Sequence, residues 1–179
     1  MLTEEVKNTI REVPDFPKKG IRFLDITTGV KNPEALNAMV EFLYEQFKGK
    51  KIDYVAGIES RGFVFGAPLA LKLGVGFIMI RKPNKLPAET ISETYDLEYG
   101  TSTIHMHVDA IEPGSNVLIV DDLLATGGSA TAACNLVKRA GGKIEAAAFI
   151  IELTPLKGAE NIKKATGVDT VSMLKYDLD

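Results

Sequence analysis

The stretch 117–130, VLIVDDLLATGGSA, constrains this chain more than any other part of it. Four apolar, mostly β-branched residues lead into Asp121 and Asp122, and Thr126-Gly127-Gly128-Ser129 then opens a helix. A strand that ends in carboxylates and turns through glycines into a helix N-terminus holds a phosphorylated sugar well. Carboxylates accept hydrogen bonds from ribose hydroxyls, and the free N–H groups of the helix start bind phosphate. Glycine admits close backbone approach because it has no Cβ. Thr126 and Ser129 add hydroxyl donors. A plain helix cap is the duller use of an Asp pair, but two glycines between two hydroxyls would make a loose turn.

Around this stretch, apolar strands alternate with helices. The sequence predicts strands at 52–58, 75–80, 117–120, 144–153 and 170–175. It predicts a hairpin of 94–99 and 101–108 about Gly100, and a loop over 83–92. Helices are expected at 3–13, from Asn32-Pro33 to Gly49, up to Leu73 with an irregularity at Pro68, from the glycine-rich turn to Gly141-Gly142, and at 158–165. That alternation is the pattern of a mostly parallel sheet covered on both faces. Ligands of such sheets sit at the carboxyl ends of the strands. The polar runs 59–62, 81–85 and 121–129 each follow a strand and should meet there.

Composition narrows the function classes. With 21 basic and 24 acidic side chains the net charge is −3, which argues against broad nucleic-acid binding. The first ten residues, MLTEEVKNTI, do not read as a signal peptide, and no apolar run is long enough for a membrane. One cysteine, Cys134, excludes an internal disulfide and fits a cytoplasmic setting; on its Ala-rich helix it reads as a packing residue. His105 and His107 alternate on one strand and lack further evident metal ligands, so they read as surface or interface residues. Neither G-x-x-x-x-G-K-[ST] nor G-x-G-x-x-G occurs.

The chain resembles the adenine phosphoribosyltransferases of the type I phosphoribosyltransferase family. The matching segments are Asp15-Phe16-Pro17, Phe23, Asp25-Ile26 and the stretches 57–65, 81–87, 95–100, 120–128 and 152–158. The resemblance implies the type I phosphoribosyltransferase fold: a mostly parallel central sheet, flanking helices and a flexible hairpin loop. It implies one domain over 1–179, with residues of about 1–30 contributing to a hood over the base. The implied reaction moves the 5-phosphoribosyl group of phosphoribosyl pyrophosphate (PRPP) to N9 of adenine, giving AMP and pyrophosphate with Mg²⁺. The implied assembly is a cytoplasmic homodimer with neither nucleic-acid nor membrane partners. Relatives that take 6-oxopurines usually carry an aspartate where this chain has Ala125, so adenine is the expected base.

By the same resemblance, Asp121 and Asp122 hold the ribose hydroxyls, and Ala125, Thr126, Gly127, Gly128 and Ser129 cradle the 5′-phosphate. Glu59, Ser60 and Arg61 form the pyrophosphate loop, where Arg61 offers charge to a leaving group that gains charge. Arg81, Lys82 and Lys85 are expected at pyrophosphate, and the family arginine here can reach a neighbouring subunit; a solvated cationic loop is the alternative. Phe23 is expected to stack on adenine, Arg22 and Leu24 to offer backbone groups to its edge, and Leu156 to cover its other face. A core phenylalanine is the alternative for Phe23. Glu98 is the candidate for the proton on adenine N7/N9, and Tyr99 for excluding water. No residue is singled out as a metal ligand. A PRPP-sensing regulator that binds nucleic acid is the rival reading, and the acidic balance and lack of a spare helical module disfavour it.

Overall fold

Strands that are apolar along their whole length must be buried on both faces, and the computed structural model shows how this is done for the residues it describes, 1–97 and 100–177. The elements in chain order are α1 (Thr3–Lys7), β1 (Arg11–Pro14), β2 (Arg22–Asp25), α2 (Thr27–Lys31), α3 (Pro33–Phe47), β3 (Tyr54–Ile58), α4 (Arg61–Leu73) and β4 (Gly76–Ile80). They continue as β5 (Thr90–Asp96), β6 (Thr101–His107), β7 (Asn116–Leu124), α5 (Gly128–Arg139), β8 (Lys143–Leu153), α6 (Gly158–Thr166) and β9 (Thr170–Tyr176), with a 3₁₀ turn at Thr154–Leu156. The central sheet runs β4-β3-β7-β8-β9, and all its pairings are parallel.

The period of two along β7 divides the core. Leu118 and Val120 pack on the face that α3 and α4 cover, with Met39, Leu43, Phe65 and Leu69. Val117 and Ile119 pack on the other face with Ala133, Leu136, Val137 and Phe149 under α5. Cys134 is fully buried there, as expected of a packing residue. Helix α3 starts where Asn32 Oδ1 accepts from the N–H groups of Glu34 and Ala35 at 3.0 and 3.1 Å, the cap predicted from Asn32-Pro33.

Four expectations are corrected. The helix predicted over 3–13 ends at Lys7, and Arg11–Pro14 is a strand paired antiparallel with β2, Val13 opposite Phe23. Val6 and Ile10 are buried as their spacing foretold, but so short a helix is marginal, and pairing with β2 gives the backbone better partners. The loop predicted over 83–92 ends early, since β5 begins at Thr90 and pairs with His107. Strand β7 does not stop at Val120. It runs to Leu124 because β8 pairs with it as far as Glu152, so Asp121 and Asp122 stand on the strand itself. Finally, α4 is continuous from Arg61 to Leu73 through Pro68.

Two antiparallel pairs lie outside the central sheet, β1–β2 and β5–β6. The β5–β6 hairpin meets the sheet edge where Arg81 N–H donates to His105 C=O at 2.9 Å and His105 N–H donates back at 2.7 Å. His105 Nδ1 also lies 3.1 Å from Thr90 Oγ1, and Ala88 N–H approaches His107 Nε2 at 3.4 Å. Both histidines thus serve the base of the hairpin.

Candidate active site

The carboxyl ends of β3, β4, β7 and β8 converge on one sheet edge, and the polar runs predicted to meet do so around Arg61. The Glu59–Ser60 peptide ahead of it is cis. Arg61 opens α4, and its Nε donates to Asp122 Oδ2 at 2.5 Å across 61 positions of sequence. A Cβ on Gly62 would stand 2.6 Å from the Val120 carbonyl oxygen and 3.2 Å from Asp121 Oδ1. Only glycine lets the first turn of α4 lie this close to β7. That contact brings Arg61 and the acidic pair together.

The charges in this cluster perturb one another. Burial pushes the Asp121 carboxyl well above the usual carboxylate range, and the charge of Asp122 pushes it the same way. The Asp122 N–H donates to Asp121 Oδ1 at 2.8 Å and opposes both. Burial alone would weaken the charge of Arg61, but Asp122 and then Asp121 outweigh it and hold the guanidinium above its ordinary value. For Glu59, burial again favours the neutral form. Hydrogen bonds from Arg81 and the Lys82 N–H overcome it, so Glu59 titrates below the usual range.

Three cavities open around Arg61. The first, about 330 Å³, is lined by Asp121, Asp122 and the loop Ala125–Ser129, with Tyr95, Asp96 and Leu97 of the hairpin on its far side and Leu156 at its rim. Gly127 turns into α5 with φ +89°. The loop is held from behind by α6, a support the sequence did not announce. Asn161 Nδ2 donates to the Thr126 carbonyl at 3.0 Å, and a Cβ on Gly158 would lie 2.3 Å from the Ala125 carbonyl oxygen. The second cavity, about 380 Å³, is lined by Glu59, Ser60, Lys82, Tyr95, Asp121, Asp122 and Ser129. The third, about 390 Å³ and largely apolar, is bounded by Val13, Phe16, Phe23, Leu24, Asp25, Ile26 and Thr27. In it the Phe16 and Phe23 rings meet edge to face at 5.1 Å.

The expected site residues sort accordingly. Phe23 and Leu24 border the apolar cavity, Leu24 with its side chain buried in the core. Leu156 borders the loop cavity and not the cavity of Phe23. Arg22 turns its guanidinium to Glu12 on the neighbouring strand. Arg81 donates to both Glu59 oxygens at 3.2 Å and to the Lys85 carbonyl at 3.1 Å, so it faces inward within its own chain. Lys82 lines the second cavity, while Lys85 is exposed beside it. Glu98 and Tyr99 lie outside the described residues. Sequence reasoning passed over Gly158 and Asn161, and over Tyr95 and Asp96 as cavity walls. Asp25 was also left without a role: its carboxylate takes hydrogen bonds from Thr27 and from Arg11, which together lower its pKa to about 2.

Comparison with known proteins gives this arrangement its context. The phosphoribosyl transferase domain family matches residues 28–176. The adenine phosphoribosyltransferase of Thermoanaerobacter sp. (strain X514) is 52% identical over 176 residues, covering 98% of this chain and all of that one. The chain belongs to the adenine phosphoribosyltransferases. Members of this family transfer the phosphoribosyl group of PRPP to adenine, giving AMP. The crystal structure of the adenine phosphoribosyltransferase from Thermoanaerobacter pseudethanolicus superposes with a TM-score of 0.93 at 50% identity, over 98% of this chain and 100% of that chain. The Saccharomyces cerevisiae adenine phosphoribosyltransferase, complexed with an imino-altritol bisphosphate and adenine, gives 0.88 at 41% identity, over 96% and 98%.

For a metal ion, no group of three or more His, Cys, Asp and Glu side chains is placed to hold one among the described residues. The adjacent Asp121 and Asp122 are nonetheless hard oxygen donors of the kind Mg²⁺ takes when substrate phosphates and water complete its shell. The donor set therefore fits a cation brought in with a phosphorylated substrate. Among the described residues no helix is long and apolar enough to cross a membrane.

Proposed function

We propose that this adenine phosphoribosyltransferase binds PRPP across the first two cavities and adenine in the third, with Arg61 between them. The observation that carries this reading is that one cationic side chain borders the glycine-rich cradle, the Glu59–Lys82 cavity and the Phe23 cavity at once. In this arrangement Ala125, Thr126, Gly127, Gly128 and Ser129 hold the 5′-phosphate with N–H and hydroxyl donors. Asp121 and Asp122 accept from the ribose hydroxyls. Glu59, Ser60 and Lys82 border the pyrophosphate, with Arg81 fixing Glu59 and Lys85 adding positive potential nearby.

Phe23 supplies a ring for adenine to stack on, and the backbone of Arg22 and Leu24 offers polar groups to the purine edge. Leu156 closes the base side from the loop cavity. As the C1′–oxygen bond to pyrophosphate lengthens, Arg61 meets the growing negative charge with a preorganised donor. Asp121 and Asp122 are the residues that would hold a Mg²⁺ brought in with PRPP, and the ion would supply further charge neutralisation. The N9 lone pair forms the new bond to C1′, and Glu98 handles the adenine proton while Tyr99 keeps water away. Ala125 leaves the purine without the carboxylate that a 6-oxopurine would want at N7. The rest of the reading, proposed on the family resemblance, is one domain over 1–179 with a hood from about 1–30, a cytoplasmic setting, and a homodimer. Arg81 pairs with Glu59 of its own chain, and its reach to a neighbouring subunit belongs to the same proposal.

The test is a panel of adenine, hypoxanthine, guanine and orotate with PRPP and Mg²⁺, read by nucleotide chromatography. AMP from adenine alone supports the proposal. Conversion of another base with adenine left untouched overturns it.

A further inference from the structure

We propose that Glu93 is a positioning residue, a latch that sets the β5–β6 hairpin against α5 and so relative to the phosphate loop. Both of its carboxylate oxygens are engaged. Asn135 Nδ2 donates to Oε1 at 3.0 Å, and Arg139 Nη1 donates to Oε2 at 2.9 Å and to the neighbouring Ser92 carbonyl at 2.6 Å. Asn135 and Arg139 stand four residues apart on α5 and present one face of it. That helix begins at Gly128, so the element whose N-terminus shapes the phosphate loop also grips the hairpin about two and three turns later.

At its base the hairpin is tied to the sheet edge by the backbone hydrogen bonds between Arg81 and His105, so its free end is set by other contacts. Ile104 and Met106 are buried in the core beneath it, but apolar contact is non-directional. Toward the loop the packing is open: a cavity of about 330 Å³ lies between Glu93–Asp96, Thr126–Gly128, Asn135 and Asn161. Across that gap, two fixed donors on one carboxylate decide where Tyr95, Asp96 and Leu97 stand over the cradle. Side chains of Glu93 and Arg139 are 25% and 52% exposed, so a bare ion pair would contribute little. The amide of Asn135 and the Ser92 carbonyl make it a four-group network.

This inference rests on the reaction proposed above. If the latch is lost, the hairpin samples positions further from the site, and water competes with adenine for C1′. In that side reaction a water oxygen bonds to C1′, the C1′–oxygen bond to pyrophosphate breaks, and the water proton passes to solvent, leaving ribose 5-phosphate and pyrophosphate. The experiment measures ribose 5-phosphate and AMP together from PRPP, Mg²⁺ and adenine, for the wild type, Glu93→Ala, Glu93→Gln and Asn135→Ala. For Glu93→Ala the ratio of ribose 5-phosphate to AMP should rise roughly fivefold to tenfold and kcat should fall correspondingly, with KM for PRPP within about twofold. Glu93→Gln and Asn135→Ala should fall between it and the wild type. The near-isosteric Glu93→Gln decides the matter if the alanine variant folds poorly. An unchanged ratio in folded variants overturns the latch while leaving the AMP reading intact. A wild type that makes no AMP overturns the reading, and the latch with it.

Discussion

Replacing Gly158 with alanine tests whether the phosphate loop is held by α6 as closely as the geometry implies. The added Cβ would stand 2.3 Å from the Ala125 carbonyl oxygen, 2.7 Å from Leu124 Cδ1 and 2.9 Å from Leu124 Cγ. The first contact is with backbone and lies more than an ångström short of ordinary van der Waals distance, so either the loop or the start of α6 must move by about that much. Two effects oppose each other in stability. Overpacking of this kind costs about 1–3 kcal/mol, whereas alanine gains about 1 kcal/mol over glycine in a helix. The net is a loss of about 0–2 kcal/mol, and at about 2–4 °C per kcal/mol for a domain of this size the fall in Tm stays below ~8 °C. Function should suffer far more, because a displacement of about 1 Å at a substrate-positioning element can cost about a hundredfold. The assay is initial AMP formation at saturating adenine with PRPP varied, beside a thermal melt. We expect kcat/KM for PRPP to fall by about two orders of magnitude in a protein that is still folded. A value within twofold of wild type, in a variant with unchanged Tm, would refute the claim that α6 sets the loop.

Further outcomes follow from the charged cluster and the core. Arg61→Lys keeps a positive charge but loses the Nε donor to Asp122, and kcat should fall about 10²-fold, checked by steady-state kinetics. Burial raises the Asp121 pKa in the folded state, so the folded protein loses stability as pH climbs through that interval. Asp121→Asn should therefore melt a few degrees higher than wild type near pH 8 while losing activity, and an unchanged or lower Tm would contradict this. Asp25 has the opposite sign: its hydrogen bonds from Thr27 and Arg11 lower it to about 2. Its contribution is present above the ordinary carboxylate value and is lost as pH falls from about 4 towards 2, so Asp25→Asn should flatten that part of an acid-unfolding profile. Burial pushes the Cys134 thiol up to about 11, and the native protein at pH 8 should leave an aromatic disulfide reagent unreacted until denaturant is added.

The legible parts of the sequence were those whose chemistry is local. The apolar runs gave the strands of the central sheet, and Asn32-Pro33 gave the start of α3. The pattern Asp-Asp, Thr-Gly-Gly-Ser marks its site because carboxylates, glycines and hydroxyls act within nine consecutive residues. What stayed hidden depended on contacts across the chain. Val13 fits the helical spacing of Val6 and Ile10 and equally fits a strand, and only pairing with Phe23 decides between them. Nothing near Gly158 or Asn161 reveals that they support a loop more than thirty residues earlier. Arg22 reads as offering its backbone to the base edge, and the pairing of its side chain with Glu12 on the adjacent strand is a contact that the sequence alone does not show. Pairing also lengthened β7 past Val120, which put the acidic pair within the strand and not just after its end.

The position of Arg61 at the meeting of three cavities has a thermodynamic consequence. A ligand in any one chamber that competes with Asp122 for the guanidinium alters what Arg61 offers to the other two. The chambers are then linked, and the linkage is reciprocal: whatever factor a phosphorylated sugar applies to the affinity for the base, the base must apply to the sugar. Isothermal titration of each ligand with and without the other reads that factor directly. It should shrink towards one in Arg61→Ala, a change that leaves the walls of all three chambers otherwise in place.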